Sequence, residues 1–331
     1  MLSIVYLPKY GVDNCFLHHG KEHPMNNTTS HWGPPQSGQS SQSNSGRKKP
    51  KYTWLIVLLI LAAIAYRFYQ ANQAGNDPTT APLADGSQLQ ILFIDVGQAD
   101  SALLTCDGST MLIDGGNVGD GQKIYSILTE RKIETLDYVV CTHAHEDHVG
   151  GLASALTAAT ANTVFSPVTD YDSKAFKNFA ERVETITVPK VGDSFMFGSA
   201  LVEILACDPD ASETNNTSIV LKVTYGETSF LFTGDAEHSV EDTILDSGYD
   251  PSANVLKVGH HGSSSSTSYR FLNEVMPQYA IISVGEDNSY GHPEDEVLSR
   301  LRDADVTVYR TDLDGDILCT SDGKQVTIST P

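Results

Sequence analysis

Basic side chains are scarce in this sequence of 331 residues, which has 21 lysines and arginines against 42 aspartates and glutamates. Residues 1–87 hold seven of the basic and four of the acidic side chains. The rest of the chain therefore carries 14 basic and 38 acidic ones, a formal net charge of −24. Such an acidic body does not predict a broad electrostatic groove for a nucleic-acid backbone. It fits an exported, soluble domain equally well.

Cysteine and the common nucleotide-binding motifs are also lacking. The four cysteines after residue 100 have no paired spacing and no Cys-x-x-Cys zinc signature, so a cysteine zinc site is not indicated. Whether any two of them form a disulfide stays open. No P-loop and no Rossmann glycine fingerprint occurs, so a nucleotide cofactor is not indicated either. The four are Cys106, Cys141, Cys207 and Cys319.

Long apolar runs are absent except for one, at residues 54–66. With its aromatic and arginine flanks the segment reaches residues 52–69, which is at the short limit for a membrane-spanning helix. The basic cluster at residues 47–51 places the N-terminus in the cytoplasm and the body outside the cell. We therefore expect a single-pass signal anchor in the cell membrane. Cleavage as a signal peptide, giving a secreted form, is the alternative.

Polar composition also predicts where the N-terminal tail, the linker and the folded domain begin and end. Residues 1–51 are predicted to be a disordered cytoplasmic tail, in which Met25 is hypothesised to be the true start of the protein. Residues 70–88 are predicted to be a flexible linker, because they are rich in Asn, Asp, Pro, Thr and Gly. The folded domain is expected at residues 89–331.

Three histidines and an aspartate fall within six residues, between an apolar strand predicted at residues 138–141 and a helix predicted at residues 149–159. Imidazole and carboxylate ligands suit zinc, manganese or iron, and a strand-to-helix loop can bring them together. The first two histidines could share one ion, and the aspartate and last histidine a second. A histidine-rich surface loop is the plain alternative. The four are His143, His145, Asp147 and His148.

Apolar strands and amphipathic helices alternate throughout residues 89–331, which predicts a mixed α/β fold. Strands are predicted at residues 89–94, 101–105, 110–113, 195–205, 218–224, 228–232, 255–258, 279–283, 306–309 and 316–319. Further helices are predicted at residues 121–131, 237–245 and 294–302.

The His-x-His-x-Asp-His spacing resembles the signature of the metallo-β-lactamase superfamily, and further motifs follow in that family's order. The match narrows to the hydrolase domain of the ComEC-type competence proteins, a DNA-uptake channel family, of which this chain looks like a stand-alone relative. The resemblance implies a four-layer αββα sandwich with its site along one edge of two sheets. The further motifs lie at residues 93–101, 112–116, 232–235, 256–263, 288–293 and 309–315.

The resemblance also implies the metal ligands, for one or two divalent ions, zinc or manganese. His143 and His145 would belong to the first ion, and a bridging aspartate, Asp235, would join it to the second. That second ion would be held by Asp147, His148 and His260. The first site usually takes a third histidine, yet none occurs from residue 149 to 234, and Asn216 lies where that ligand is expected. The site would then be oxygen-rich, or filled only with substrate present.

Catalytic and supporting roles follow from the same resemblance. Asp147 would accept a proton from the attacking water, and His292 would act at the rim of the site. Asp114 would hold the histidine loop, with a simple turn aspartate as the alternative. The serine run from Ser263 could bind a phosphate oxygen or be a flexible polar loop. The remaining expected supporting residues are His261 and Arg310.

Three functions are compatible with these residues. The first is a metal-dependent phosphodiesterase or nuclease acting on single-stranded DNA during DNA uptake, with a separate channel protein as partner. The second is a secreted hydrolase of a small ester, lactone or amide, and the third is a non-catalytic metal-binding module tethered to the membrane. A surface strip of basic residues would favour DNA, whereas an enclosed apolar pocket would favour the small substrate. The strip would comprise Lys257, Arg270, Arg300 and Arg310.

Overall fold

The computed structural model describes Gly86 and residues 88–330. The predicted tail and membrane anchor, and the linker apart from Gly86 and Gln88, lie outside the described residues. Among the residues that are described, no helix combines the length and the apolar character needed to cross a membrane.

The described residues form fourteen strands and eight α-helices, joined by turns and short 3₁₀ segments. The strands are β1 (Leu89–Phe93), β2 (Ala102–Cys106), β3 (Ser109–Ile113), β4 (Thr135–Val140), β5 (Thr160–Phe165), β6 (Ser194–Phe197), β7 (Ala200–Ala206), β8 (Val220–Tyr225), β9 (Thr228–Phe232), β10 (Val255–Lys257), β11 (Tyr279–Ile282), β12 (Thr307–Arg310), β13 (Ile317–Ser321) and β14 (Val326–Ser329). The helices are α1 (Gly121–Glu130), α2 (Glu146–Val149), α3 (Leu152–Ala158), α4 (Lys174–Ala180), α5 (His238–Ser247), α6 (Tyr269–Val275), α7 (Asp295–Asp303) and α8 (Thr311–Asp314).

The strands form two mixed sheets of seven. The first has the order β14-β13-β1-β2-β3-β4-β5 and the second β12-β11-β10-β9-β8-β7-β6. Strands β3, β4 and β5 run parallel in the first sheet, and β9 to β12 run parallel in the second. The carboxyl ends of parallel strands meet at one edge of a sheet, so each sheet gathers several strand-ending loops at one edge.

Three apolar clusters hold these layers together. The first lies between the sheets, where Phe93 of one sheet stacks on Phe232 of the other with ring centroids 5.7 Å apart. In the second, helices α1, α3 and α4 pack on the first sheet, with Ile124 and Phe176 in the same cluster as strand residues. In the third, α5, α6 and α7 cover the second sheet. The order helices, sheet, sheet, helices is consistent with the expected αββα sandwich.

The predicted strands and helices are confirmed to within a few residues, with three differences. The strand expected at residues 195–205 is a hairpin of β6 and β7, and the helix expected at residues 149–159 is α3, with the short helix α2 in the histidine loop before it. A Cβ at Gly151 would lie 2.0 Å from the carbonyl oxygen of Gly115, so only glycine lets the histidine loop approach the loop after β3 this closely. The sequence analysis missed β5, α4, α6, α8 and β14. The four cysteines of the described region are free thiols.

Candidate metal centre

The expected metal ligands all follow parallel strands. The histidine loop follows β4 and Asp114 follows β3, both in the first sheet. In the second sheet, Asp235 follows β9, and His260 and His261 follow β10. The two sheets pack face to face with these edges together, so the site receives side chains from both of them.

Four side chains converge most closely: Asp147, His148, Asp235 and His261. One ligand atom from each lies within 4.8 Å of the others. His148 Nε2 is 3.3 Å from Asp235 Oδ1, and His261 Nε2 is 3.4 Å from Asp147 Oδ2. Two imidazole nitrogens and two carboxylate oxygens form a donor set that suits zinc or manganese.

The unsatisfied atoms of this group test whether a cation fits it. His148 Nε2, Asp235 Oδ1 and His261 Nε2 are buried and have no hydrogen-bond partner. Buried polar atoms normally have partners, so three unpartnered donors and acceptors facing one point indicate a missing ligand. Burial would lower the pKa of His148 and of His261, but the Asp235 carboxylate raises both above their usual range, so each ring holds a proton that a bound cation would replace. The residues present therefore fit a divalent cation.

His143 and His145 lie beside this group. His143 Nε2 is 3.1 Å from His145 Nδ1 and 3.8 Å from Asp235 Oδ2. Burial lowers the pKa of His143 well below its usual range, so its ring is neutral and offers a lone pair. Both rings are within reach of the bridging position expected for Asp235, and they could hold a second ion there.

The two histidines after β10 differ from the expected assignment. The resemblance implies His260 as the ligand with Asp147 and His148, whereas the structure places His261 in that group. His260 lies at the margin, with Nε2 3.8 Å from Asp235 Oδ2 and Nδ1 3.3 Å from Ser265 Oγ. Both residues have positive φ angles, 50° and 53°, and this turn directs the second ring inward.

Asp114 holds the histidine loop from behind. Its Oδ1 accepts a hydrogen bond from the Thr142 backbone N–H at 2.8 Å. Its Oδ2 accepts one from the Thr142 hydroxyl at 2.7 Å and lies 2.9 Å from His148 Nδ1. Contact with Nδ1 leaves Nε2 of His148 facing the four-residue group, which is the arrangement that fixes a metal-ligating imidazole.

A buried ion pair lies next to these ligands. Lys257 Nζ is 2.9 Å from Asp100 Oδ2, and both side chains are less than a tenth exposed. Asp100 Oδ1 in turn lies 3.3 Å from His261 Nδ1. The hydrogen bond of His261 Nδ1 goes to the Ser283 backbone carbonyl oxygen, at 2.9 Å, so this carbonyl orients His261 much as Asp114 orients His148. From the sequence alone, Asp100 is a weaker candidate than Asp114 for a supporting role beside the metal ligands.

The group opens into a cleft of about 350 Å³. His292 lies in its wall, where Gln98 Nε2 is 3.4 Å from His292 Nδ1. Burial lowers the pKa of His292, and the nearby His260 and His261 lower it further. The lining is mostly polar and does not form an enclosed apolar pocket. It consists of Gln98, His145, Glu146, Asp147, Asn215, Asp235, His260, His261, Tyr290 and His292.

Besides Asp114, three expected supporting residues lie outside this lining. Asn216 turns away to pair with Glu237, and the neighbouring Asn215 lines the cleft instead, with its Oδ1 buried and unpartnered. Ser263 bonds within its own loop, to Ser265. Arg310 makes a two-point contact with Asp312, Nε to Oδ1 at 2.9 Å.

The basic strip named as the mark of DNA binding does not form. Lys257 and Arg300 are buried, the latter among backbone carbonyls of residues 264–267. Arg270 is paired with Asp242 and Asp246, and Arg310 with Asp312. None of the four is an unpaired cation that could contact a phosphate backbone.

Known proteins similar to this chain were found by sequence. The family model described as "Metallo-beta-lactamase superfamily" matches residues 94–286. ComE operon protein 3 of Bacillus subtilis is 32% identical over 254 residues, covering 70% of this chain and 33% of the relative. Competence protein ComA of Neisseria gonorrhoeae is 29% identical over 261 residues, covering 78% and 34%. Recombination protein 2 of Haemophilus influenzae is 29% identical over 233 residues, covering 69% and 28%. The chain thus resembles ComEC-type competence proteins and spans about a third of their length.

Proposed function

Since this chain belongs to the metallo-β-lactamase superfamily, we propose that it is a metal-dependent hydrolase of phosphodiesters, with single-stranded DNA as its substrate. The observation that carries this proposal is the group Asp147, His148, Asp235 and His261, whose unpartnered buried atoms open into an accessible cleft. The relatives named as competence proteins support a link to DNA. Their role in DNA uptake, and a channel protein as partner, come to this chain as parts of the proposal.

A divalent cation held by this group, zinc or manganese, would act as a Lewis acid and lower the pKa of a bound water. The protein's own side chains would do the rest. Asp147 is about a third exposed at the cleft, and its pKa is lowered because the nearby His261 and His148 rings outweigh burial. It would therefore be ionised, able to hold the cation and to accept a proton from the attacking water.

Gln98 would determine which ring nitrogen of His292 carries the proton. The Gln98 Oε1 accepts a hydrogen bond from the Gly285 backbone N–H at 3.2 Å, which orients the amide so that its NH₂ group faces His292 Nδ1. Nδ1 is then the acceptor, and the ring proton of neutral His292 lies on Nε2. This N–H would donate to an oxygen of the substrate as negative charge develops there.

A small ester, lactone or amide is the second candidate substrate. The observation that favours it is the absence of the basic strip, together with a cleft volume in the usual range of small-molecule sites. A non-catalytic metal-binding module is the third candidate.

The cellular location belongs to the same proposal. A single membrane anchor at residues 52–69 would leave the hydrolase domain outside the cell, where incoming DNA is met, and cleavage would release it. Protease added to intact cells should then digest the domain and leave cytoplasmic marker proteins whole.

The test is cleavage of end-labelled single-stranded DNA by the purified full-length protein with Mn²⁺ or Zn²⁺, beside His148→Ala. We expect metal-dependent cleavage that the substitution abolishes. Nitrophenyl esters and lactones are assayed in parallel with the same two proteins. Hydrolysis of these without DNA cleavage would transfer the proposal to the small substrate, and metal binding without either activity would favour the non-catalytic module.

A further inference from the structure

Tyr290 is an unusual surface residue because 71% of it is exposed at the mouth of the cleft. Exposed apolar side chains are common and are usually scattered singly. Within the described residues, Tyr290 is the one exposed large apolar side chain that also lines the cleft beside the metal group.

The Tyr290 ring begins a short series of ring contacts that leads to the metal group. It is stacked on His292, with ring centroids 5.7 Å apart and planes 25° apart. His292 in turn meets the edge of the His260 ring at 5.6 Å. The Tyr290 ring is therefore offset beside His292, and its high exposure leaves most of the side chain open to solvent.

The loop that carries this ring is held in place by Asn288. Its side-chain oxygen accepts hydrogen bonds from the backbone N–H groups of Tyr290 and His292, at 3.2 and 3.0 Å. Its amide donates to the carbonyl oxygens of Gly285 and His292. Because the backbone is fixed on both sides of the ring, a ligand that stacks there loses little free energy to ordering the loop.

We propose that Tyr290 is a stacking platform for an unpaired nucleobase next to the phosphodiester that the metal group cleaves. This inference rests on the proposed phosphodiesterase function and names how its substrate is recognised. Within the described part of the chain no lysine or arginine lines the cleft, so the cleft side chains offer little electrostatic attraction for a phosphate backbone. Stacking on an aromatic ring does not need such cations, because every base offers a π-face.

The same geometry selects single strands. A base inside a duplex is already stacked and paired, and it reaches a protein surface only after it is extruded at a free-energy cost. A base in a single strand can lie on the exposed ring of Tyr290 without that cost. The platform would therefore discriminate between strand states even though no base edge is recognised.

The experiment compares the full-length protein with Tyr290→Leu, Tyr290→Phe and the matched control Tyr249→Leu, which removes a tyrosine that is 40% exposed outside the cleft. Metal-loaded proteins are assayed on an oligothymidylate, its duplex and a strand of the same length with abasic sites. In parallel, fluorescence anisotropy measures oligothymidylate binding with each Tyr290 substitution in an Asp147→Asn background, which separates binding from cleavage.

We expect Tyr290→Leu to raise KM for the oligothymidylate, and the anisotropy Kd, about tenfold. Tyr290→Phe and Tyr249→Leu should stay near the unsubstituted protein, and the abasic strand should be insensitive to Tyr290→Leu. Equal KM values for all proteins on the base-bearing strand would overturn the platform and leave the hydrolase intact. If the unsubstituted protein cleaved no phosphodiester, but Tyr290→Leu still raised the anisotropy Kd, the phosphodiesterase function would be overturned instead.

Discussion

Lys257 and Asp100 form a buried ion pair that joins the two sheets beside the metal group. Lys257 ends β10 of the second sheet, and Asp100 lies between β1 and β2 of the first. The distance of 2.9 Å from Nζ to Oδ2 is that of a charge-assisted hydrogen bond. Burial would raise the pKa of Asp100, but Lys257 and His261 hold it well below its usual range, so the carboxylate is ionised.

Asp100→Asn should lower the free energy of unfolding by about 3–5 kcal/mol, because it leaves a buried lysine without its counter-charge. The double substitution Asp100→Asn with Lys257→Met should recover most of that loss. Urea unfolding of the four proteins measures both effects. If Asp100→Asn alone changed the free energy of unfolding by less than about 1 kcal/mol, the ion pair would contribute no more to stability than an exposed one.

His260 and His261 provide a matched pair for the metal site. His261→Gln removes one of the four convergent ligands and should weaken binding of Zn²⁺ or Mn²⁺ by more than the roughly 10–100-fold that loss of an outer-shell partner costs. His260→Gln should weaken it less, because that ring lies at the margin. Isothermal titration of the metal into each protein decides the order. The reverse order would assign the ligand to His260, as the resemblance implied.

The difficulty with this pair shows what a sequence can and cannot predict. The strand-ending motifs place ligands at one sheet edge, and the fold and the loop at residues 143–148 follow from them. Which of two adjacent identical residues faces the site depends on backbone angles, here φ values near 50°, that spacing does not contain. The choice between Asn215 and Asn216 is the same problem.

The missed elements have a different cause. Helices α4 and α6 have seven residues each, too short for a clear helical period. Their serine caps, Ser173 and Ser268, were the available signals, since each accepts a hydrogen bond from the backbone N–H three residues later. Strand β5 lies at a sheet edge, where polar residues replace the apolar alternation.

Gln98→Leu should lower kcat more than it raises KM. The substitution removes the contact that keeps the His292 ring proton on Nε2, but it removes none of the metal ligands. General acid–base contributions of about 10²–10⁴ set the upper limit of the loss. ¹⁵N NMR of the imidazole should show the Nε2–H form in the unsubstituted protein and a mixture in the variant. An unchanged tautomer in Gln98→Leu would dismiss the positioning role, whatever the substrate proves to be.

The thiols of the described region should resist alkylation in the folded protein. Burial raises the pKa of Cys106 to about 11 and that of Cys319 to about 12. At pH 8 roughly one Cys106 in a thousand would be thiolate, against a substantial fraction in the unfolded chain, whose thiols ionise near pH 8.5. Iodoacetamide labelling with peptide mapping, in buffer and in denaturant, measures the difference.

The same shifts predict a pH dependence of stability. The folded state holds these thiol protons more tightly than the unfolded chain, so their contribution is fully present below about pH 8.5 and declines as pH rises toward the folded values. Fast labelling of Cys106 in buffer, or stability that rises above pH 9, would contradict the buried environment.

Salt should affect DNA cleavage only weakly. The four cations named above are buried or paired, so few counterions are released on binding, and KM should rise about threefold or less between 50 and 200 mM NaCl. A protein with six to ten phosphate contacts would lose roughly 10³–10⁵ in affinity over that range. A steep dependence would mean that basic side chains other than these four hold the DNA.

Because its ligands are divided between the two sheets, the metal centre can form only after the sheets have docked. Asp147 and His148 follow β4 of the first sheet, whereas Asp235 and His261 follow β9 and β10 of the second. Each sheet supplies only two of these four ligands, so an intermediate with only one sheet folded lacks the complete metal group. The complete metal group would then form only once the two sheets have docked in register, and a nascent chain would lack it until then.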